Sequence, residues 1–332
     1  MLKETGPVAR GLHLVDLNMF GFPHFGTAFV LHFEAPDGGT PTTVVVDSGT
    51  SDDVAGLRRY LRRAGVPTDG HVLLVPSHHH FDHAGGTWRL YEVLAKNNPR
   101  TRVVTTASVR DFLQDPEEHL QRARTTFGNF VGRMKPLPED AYDVVRPGER
   151  VEIPGDPAAS DAHFVLVPTP GHTPDHVSPA FYYGDGERAP KFCFFGEACG
   201  TIYNEDSAVT LATTMPPHFE WDAYLDSLAV LRELGPEVAG FCHYGGVSGR
   251  EDVRRVVDEH EAFMVEFRRR VLEAYEEKPE TSHVVEKIHP WFVSRTNFAG
   301  SPLAGNGGVF WNMSVALTYG MLVALGLRER RA

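Results

Sequence analysis

Short apolar runs that stop on polar, metal-capable side chains recur along this chain. Residues 43–47 (TVVVD) form a β-branched run that ends at Asp47-Ser48-Gly49. Apolar positions at Val54, Leu57, Leu61 and Ala64 then follow helical spacing, with Gly65 as the stop. Residues 72–76 (VLLVP) read as a second buried strand, which predicts a βαβ-like unit running straight into Ser77-His78-His79-His80-Phe81-Asp82-His83. After Gly85-Gly86, residues 88–95 predict a helix, 102–105 a strand, and 108–145 a long, mainly helical, charged insert. Residues 164–168 predict a strand that ends at Thr169-Pro170-Gly171-His172. The runs 180–183 and 192–195 flank the turn signal Gly184-Asp185-Gly186, and the second of them ends at Gly196-Glu197.

Helical spacing returns at Tyr224, Leu225, Leu228, Leu231 and Leu234, closed by Gly235, and a strand over 238–242 delivers His243. A long helix is expected over roughly 250–278. Residues 281–332 predict an irregular start and a final apolar helix. No linker interrupts the pattern, so the expectation is one domain over 1–280 with residues 281–332 packed on it as an extension. Strand ends are where layered α/β proteins build sites, because the loops there escape the hydrogen-bond ladder while the sheet holds them still.

Composition narrows the function classes. With 332 residues, 42% hydrophobic and 23% charged, the chain reads as an ordinary globular protein. A formal charge of −12 argues against a nucleic-acid surface, which needs a basic stripe. The most apolar stretch, 309–325, is interrupted by Asn312, Ser314, Thr318 and Gly320, so it predicts a buried helix rather than a membrane span. Cys193, Cys199 and Cys242 cannot all pair, and the first residues (MLKETGPVARG) carry no apolar signal core. A cytoplasmic protein with a small-molecule substrate is expected, with homo-oligomerisation left open.

The densest chemistry is His-x-His-x-Asp-His at 78, 80, 82 and 83. Neutral imidazole and carboxylate suit divalent zinc, iron or manganese. In an extended loop His78 and His80 point to one side and can share a metal, whereas His79 points away. Asp82 and His83 follow the turn and can face a second ion. Cys242, next to His243 on a strand, is expected to face away from the metal, and Cys199 stays ambiguous.

The segment SHHHFDHAGG resembles the signature of the metallo-β-lactamase superfamily, and later motifs follow in that superfamily's order. Asp47-Ser48-Gly49 resembles its early Asp-x-Gly strand end, and residues 169–176 (TPGHTPDH) are similar to the glyoxalase-II-like GHTPGH loop, with Asp175 where glycine is usual. The resemblance implies an α/β (α+β) fold, a four-layer αββα sandwich. It implies two divalent metal ions, zinc first and iron or manganese as alternatives. His78, His80 and His172 would hold one ion, Asp82, His83 and His243 the other, and Glu197 would bridge them. Asp47 and His176 would orient ligands from behind. Glu197 stands where the family has aspartate; a salt-bridged carboxylate beside the site is the alternative.

Such a pair of ions generates a metal-bound hydroxide at neutral pH, with Asp82 orienting it or taking its proton. No Gly-x-Ser-x-Gly elbow and no phosphate-binding GxxxxGK[ST] competes with that reading. The pattern looks most like a glyoxalase-II-like branch, largely uncharacterised, from archaea and bacteria. Hydrolysis of a small thioester, lactone or other ester is expected. The alternatives are an iron-dependent oxidoreductase resembling the superfamily's persulfide dioxygenases, or a binding protein without catalysis. Substrate walls are expected from residues 108–145, 201–220 and 290–312.

Overall fold

The computed structural model describes residues 1–35, 39–154, 162–184, 189–204, 206–301, 304–305 and 307–329. Seven strands form the first sheet in chain order: β1 (Gly6–Ala9), β2 (Leu12–Asp16), β3 (Thr27–Phe33), β4 (Thr42–Val46), β5 (His71–Val75), β6 (Thr101–Thr106) and β7 (Tyr142–Val145). The N-terminal half is an antiparallel meander; from β4 to β7 the strands are parallel, joined by α1 (Val54–Arg63), α2 (Thr87–Ala95) and the pair α3 (Ala107–Gln114) and α4 (Glu117–Phe127). The second sheet holds β8 (Arg150–Glu152), β9 (His163–Pro168), β10 (Val177–Tyr182) and β11 (Phe192–Gly196). A separate hairpin, β12 (Thr201–Ile202) and β13 (Thr210–Leu211), and the helix α5 (Trp221–Leu234) follow. The chain then returns to the second sheet as β14 (Val238–Phe241), parallel to β11, and β15 (Gly246–Ser248).

Alternation along the strands builds the layers. Val44 and Val46 of β4 face the second sheet, where Phe29 meets Phe192 with ring centroids 4.9 Å apart. Val45 faces the other way and packs with Leu57 and Leu61 of α1. In β11 the same rule sends Phe192 and Phe194 between the sheets and Cys193 and Phe195 outward, toward the side that α5 and α6 (Arg250–Glu277) cover. The result is the four-layer αββα sandwich.

Three expectations need correction. The insert 108–145 is mainly helical, through α3, α4 and two short 3-10 turns, but its end is β7, an edge strand held by pairing with β6 rather than by apolar periodicity. Residues 281 onward are not irregular but form α7 (Thr281–Ser294). Pro290 removes one helical hydrogen bond there, yet Val284, Val285, Ile288 and Phe292 bury a continuous face, which outweighs the loss. Strand 238–242 ends one residue early, at Phe241, so Cys242 and His243 already belong to the bend. Of the turn signal Gly184-Asp185-Gly186, the last two residues lie outside the described ones.

The final helix, α8 (Val309–Ala324), packs on α4, α6 and α7. Thr214 donates its hydroxyl to the Leu317 carbonyl at 2.6 Å, and a Cβ on Gly320 would lie 1.7 Å from the Thr214 carbonyl oxygen. Glycine is required at this crossing. Among the described residues no helix is long and apolar enough to cross a membrane. Gly320→Ala is expected to push α8 off the 212–216 segment and lower stability by about 1–3 kcal/mol, read by chemical denaturation. Limited proteolysis of the parent protein should release no folded fragment spanning 281–332.

Candidate metal centre

Each strand end delivers one part of a single cluster. β5 leads into His78, His80, Asp82 and His83; β9 leads into His172; β11 ends at Gly196 before Glu197; β14 leads into His243. All seven are buried or nearly so. Oε2 of Glu197 lies 2.6 Å from His172 Nε2, 3.4 Å from His78 Nε2, 3.9 Å from His80 Nδ1 and 3.4 Å from His83 Nε2. Asp82 Oδ2 lies 3.6 Å from His83 Nε2 and 3.5 Å from His243 Nε2. One carboxylate oxygen therefore touches both groups of imidazoles.

The back of each ring is fixed by an oxygen. His172 Nδ1 donates to the Thr213 carbonyl at 2.6 Å, and His243 Nδ1 donates to the Phe25 carbonyl at 2.7 Å. Because a carbonyl only accepts, Nδ1 carries the hydrogen in both, and each Nε2 presents a lone pair inward. His78 Nδ1 lies 3.0 Å from Ser77 Oγ. Asp47 accepts from the Ser77 amide (2.7 Å) and hydroxyl (2.9 Å) and sits 3.4 Å from His83 Nδ1. It does so from a left-handed backbone conformation, φ 57°. His176 uses both nitrogens away from the centre: Nε2 accepts the Glu197 amide at 3.1 Å, and Nδ1 meets Thr169 Oγ1 at 2.9 Å.

Charge balance decides what fits. Burial, assisted by His83, drives the His78 pKa well below its ordinary value, and burial lowers His80 to about 3. Burial pushes Asp82 up, but His83 and His243 outweigh it and hold the carboxyl below its usual range. Glu197 is likewise held down by His172, His78 and His80 against burial. His83 goes the other way: burial opposes its charge, yet Asp82, Asp47 and Glu197 raise it. The centre thus sets the neutral imidazoles of His78 and His80 beside carboxylates that demand positive charge, a demand that falls on His83 unless another cation meets it. Nε2 of both His78 and His83 is buried with no hydrogen-bond partner, a costly arrangement unless a bound cation meets it. Divalent ions satisfy the lone pairs and the carboxylates together.

Two ligand-capable groups emerge, His78/His80/His172/Glu197 and His83/Glu197/Cys242/His243, each with atoms within 4.8 Å of one another. Cys242 is a correction: alternation no longer applies beyond Phe241, and the thiol lies beside the cluster while packing between the sheets. Cys199 stays away, buried in the outer core. A third group, His79/His80/His119, lines the neighbouring cavity. There His79 Nδ1 already meets Asp175 at 2.9 Å, and His119 Nε2 accepts the Phe81 amide at 3.0 Å.

Residues 23–243 match the family model described as Metallo-beta-lactamase superfamily. The chain belongs to that superfamily. A metallo-beta-lactamase fold-containing protein, ST1585 from Sulfurisphaera tokodaii, is 27% identical over 256 residues, which cover 76% of this chain and 83% of that protein. Its crystal structure aligns with a TM-score of 0.58 over 77% of this chain and 87% of that one. The metallo-beta-lactamase family protein TTHA1429 from Thermus thermophilus shares the fold along nearly the whole chain: TM-score 0.61, 20% identity, 96% and 94% covered. A hydroxyacylglutathione hydrolase from Thiobacillus denitrificans is 29% identical over 193 residues, 57% of this chain and 52% of that protein.

Against the superfamily's GHTPGH pattern, Asp175 has a definite job that sequence reading left open. Its Oδ2 accepts the His79 amide at 3.0 Å and its Oδ1 meets His79 Nδ1, tying the His172 loop to the His78–His83 loop. His79, set aside as pointing away, is the partner that makes this tie. Other residues missed from sequence are Thr213 and Phe25, whose carbonyls hold His172 and His243; a backbone role leaves no side-chain signal. Tyr224 is a third: it donates to the Glu197 carbonyl at 3.1 Å and meets His260 Nε2 at 2.7 Å.

Removing the Asp175 charge by Asp175→Asn should cost about 2–3 kcal/mol at neutral pH, since two buried bonds to an ionised acceptor weaken. Burial raises the Asp175 pKa, but His79 outweighs it and holds the carboxyl below its usual range. A depressed folded pKa means stability present above the unfolded value, about 4, and lost as pH falls. The difference between parent and variant in urea denaturation should therefore shrink below about pH 4. A pH-independent difference would sink the ion-pair account.

Proposed function

We propose that this chain is a metal-dependent hydrolase that holds two divalent ions, zinc in the first instance, and cleaves a small thioester, lactone or other ester by water attack. The observation that carries the reading is the shared Glu197 oxygen, which reaches His78 and His83 at the same distance, 3.4 Å, while neither Nε2 atom has a hydrogen-bond partner. His78, His80 and His172 would hold one ion, Asp82, His83 and His243 the other, with Glu197 between them. Ions held there supply two things: a water acidified toward neutral pH and a polarised acyl oxygen.

The remaining work falls to the chain's own groups. Asp82, at 15% side-chain exposure, is the more open of the two cluster carboxylates that line the cavity, and it can orient a water and take its proton. Asp47 and His176 position their neighbours without facing the substrate. Asp82 beside both His83 and His243 supports a second ion, and with it hydrolysis over the mononuclear iron chemistry of persulfide dioxygenases. The name of the Thiobacillus relative also supports thioester cleavage. Three buried, unpaired cysteines support a reducing, cytoplasmic location.

Metal analysis of native protein should give about two zinc ions per chain. Iron near one per chain would favour the oxidative reading instead. His80→Ala should lower metal content and turnover by more than about 100-fold while leaving the folded state intact; near-normal turnover by metal-free His80→Ala protein would rule out metal catalysis. Glu197→Asp draws the carboxylate back by about 1.5 Å, so restoring the family's usual residue should weaken the second metal or turnover by about 10–100-fold. Parent-like values of both would mean that Glu197 is not a ligand.

A further inference from the structure

We propose that the site selects an acyl donor with a large apolar acyl group and an uncharged leaving part, and rejects the same acyl group on a polyanionic carrier. The inference rests on the hydrolase reading above and concerns its substrate class. A cavity of about 590 Å³ opens over His80, Asp82, Glu197 and His243, far more room than a short acyl ester needs.

Its apolar wall is built at a cost. The segment that carries Phe20 holds three non-glycine residues in the left-handed region: Asn18 (φ 50°), Phe20 (φ 56°) and His24 (φ 58°). Such conformations are unfavourable for residues other than glycine and persist where the surroundings enforce them. Asp16 enforces them here, since its two carboxylate oxygens accept the Asn18 and His24 amides, both at 2.9 Å. The outcome is a half-buried Phe20 ring in the cavity wall, 5.5 Å from Phe25 and 6.3 Å from Phe81. Met313 and Leu317 of α8 extend the same apolar surface.

The polar part of the lining has the opposite bias. Asp111, Asp115 and Glu118 lie exposed along the α3–α4 side. Arg122 is the single lysine or arginine among the described lining residues, and Glu118 already engages it. Arg110 is paired with its neighbour Asp111 at 2.6 Å. Outside the metal centre the one lysine or arginine of the described lining is already paired, and along the α3–α4 side each added negative charge on a ligand meets like charge. An uncharged thiol, alcohol or lactone meets no such penalty.

Binding can be read separately from chemistry with non-hydrolysable thioethers and metal-loaded full-length protein in calorimetry. The probes are S-octyl-N-acetylcysteamine, its S-ethyl counterpart, and S-octyl coenzyme A. The neutral octyl compound should bind at least about tenfold tighter than either of the others. Phe20→Ala should cut the octyl-to-ethyl ratio by about threefold or more, with Phe20→Leu retaining most of it and serving should the alanine variant not fold. Asp115→Lys should narrow the gap between the neutral and coenzyme A compounds by about threefold. Equal binding of octyl and ethyl probes, tighter binding of S-octyl coenzyme A, or no binding of the neutral octyl probe overturns the proposal. Selective binding together with no hydrolysis of S-octanoyl-N-acetylcysteamine or any other ester would sink the hydrolase reading alone. Hydrolysis without this selectivity would sink the substrate class alone.

Discussion

Everything in this molecule turns on aiming buried lone pairs at one small volume. An imidazole has two nitrogens, and a neutral ring can present only one of them as a lone pair. The fold decides which by placing an acceptor behind the ring: the Thr213 carbonyl for His172, the Phe25 carbonyl for His243. The carboxylates are held as firmly, Asp47 by Ser77 and Glu197 through its own amide and carbonyl, which bond His176 and Tyr224. Two sheets that end at the same edge bring these pieces together, and the inter-sheet aromatic core fixes that edge. Disturbing any anchor would misdirect a nitrogen whose alternative is to be buried with no partner.

The sequence made much of this legible because local rules governed it. Alternation and β-branched runs located β4, β5, β9, β10 and β11, and helical spacing located α1, α5 and α6. The motif order located the cluster, since each ligand follows a strand. What stayed hidden depends on tertiary context. β7 is short and half polar, and only its pairing with β6 makes it a strand. The start of the C-terminal extension read as irregular, whereas α7 forms there, with Pro290 inside it, through the face it buries. Cys242 was misjudged because alternation was carried one residue past the end of β14. The wall contributed by the C-terminus comes from Met313, Ala316 and Leu317, just beyond the expected 290–312, because α8 runs alongside the cavity. Asp175 looked like a departure from a glycine pattern, and its purpose is visible only once His79 is seen across the loop.

The cavity and the cluster differ in how they are held. The cluster is a closed network in which every group answers to another, so single changes propagate. The cavity wall joins apolar side chains of α8 and the Phe20 segment to a mixed polar and apolar face of α3 and α4, and where it is apolar the penalty for a volume-conserving change is small. Phe20 is the exception, since its placement depends on Asp16 and on a backbone held in an unfavourable region.

Phe25 and Thr213 show where that difference leads. Phe25 offers its carbonyl to His243 and its ring to the cavity, and Thr213 offers its carbonyl to His172 while its neighbours Ala212 and Met215 line the same cavity. The ligand-holding atoms are main-chain oxygens, present whatever side chain the codon specifies. Mutation at these wall positions therefore alters which molecules are admitted without deleting the acceptors that orient the chemistry. A scaffold wired in this way can change the shape of its cavity by single steps, each intermediate keeping the buried cluster aimed as before.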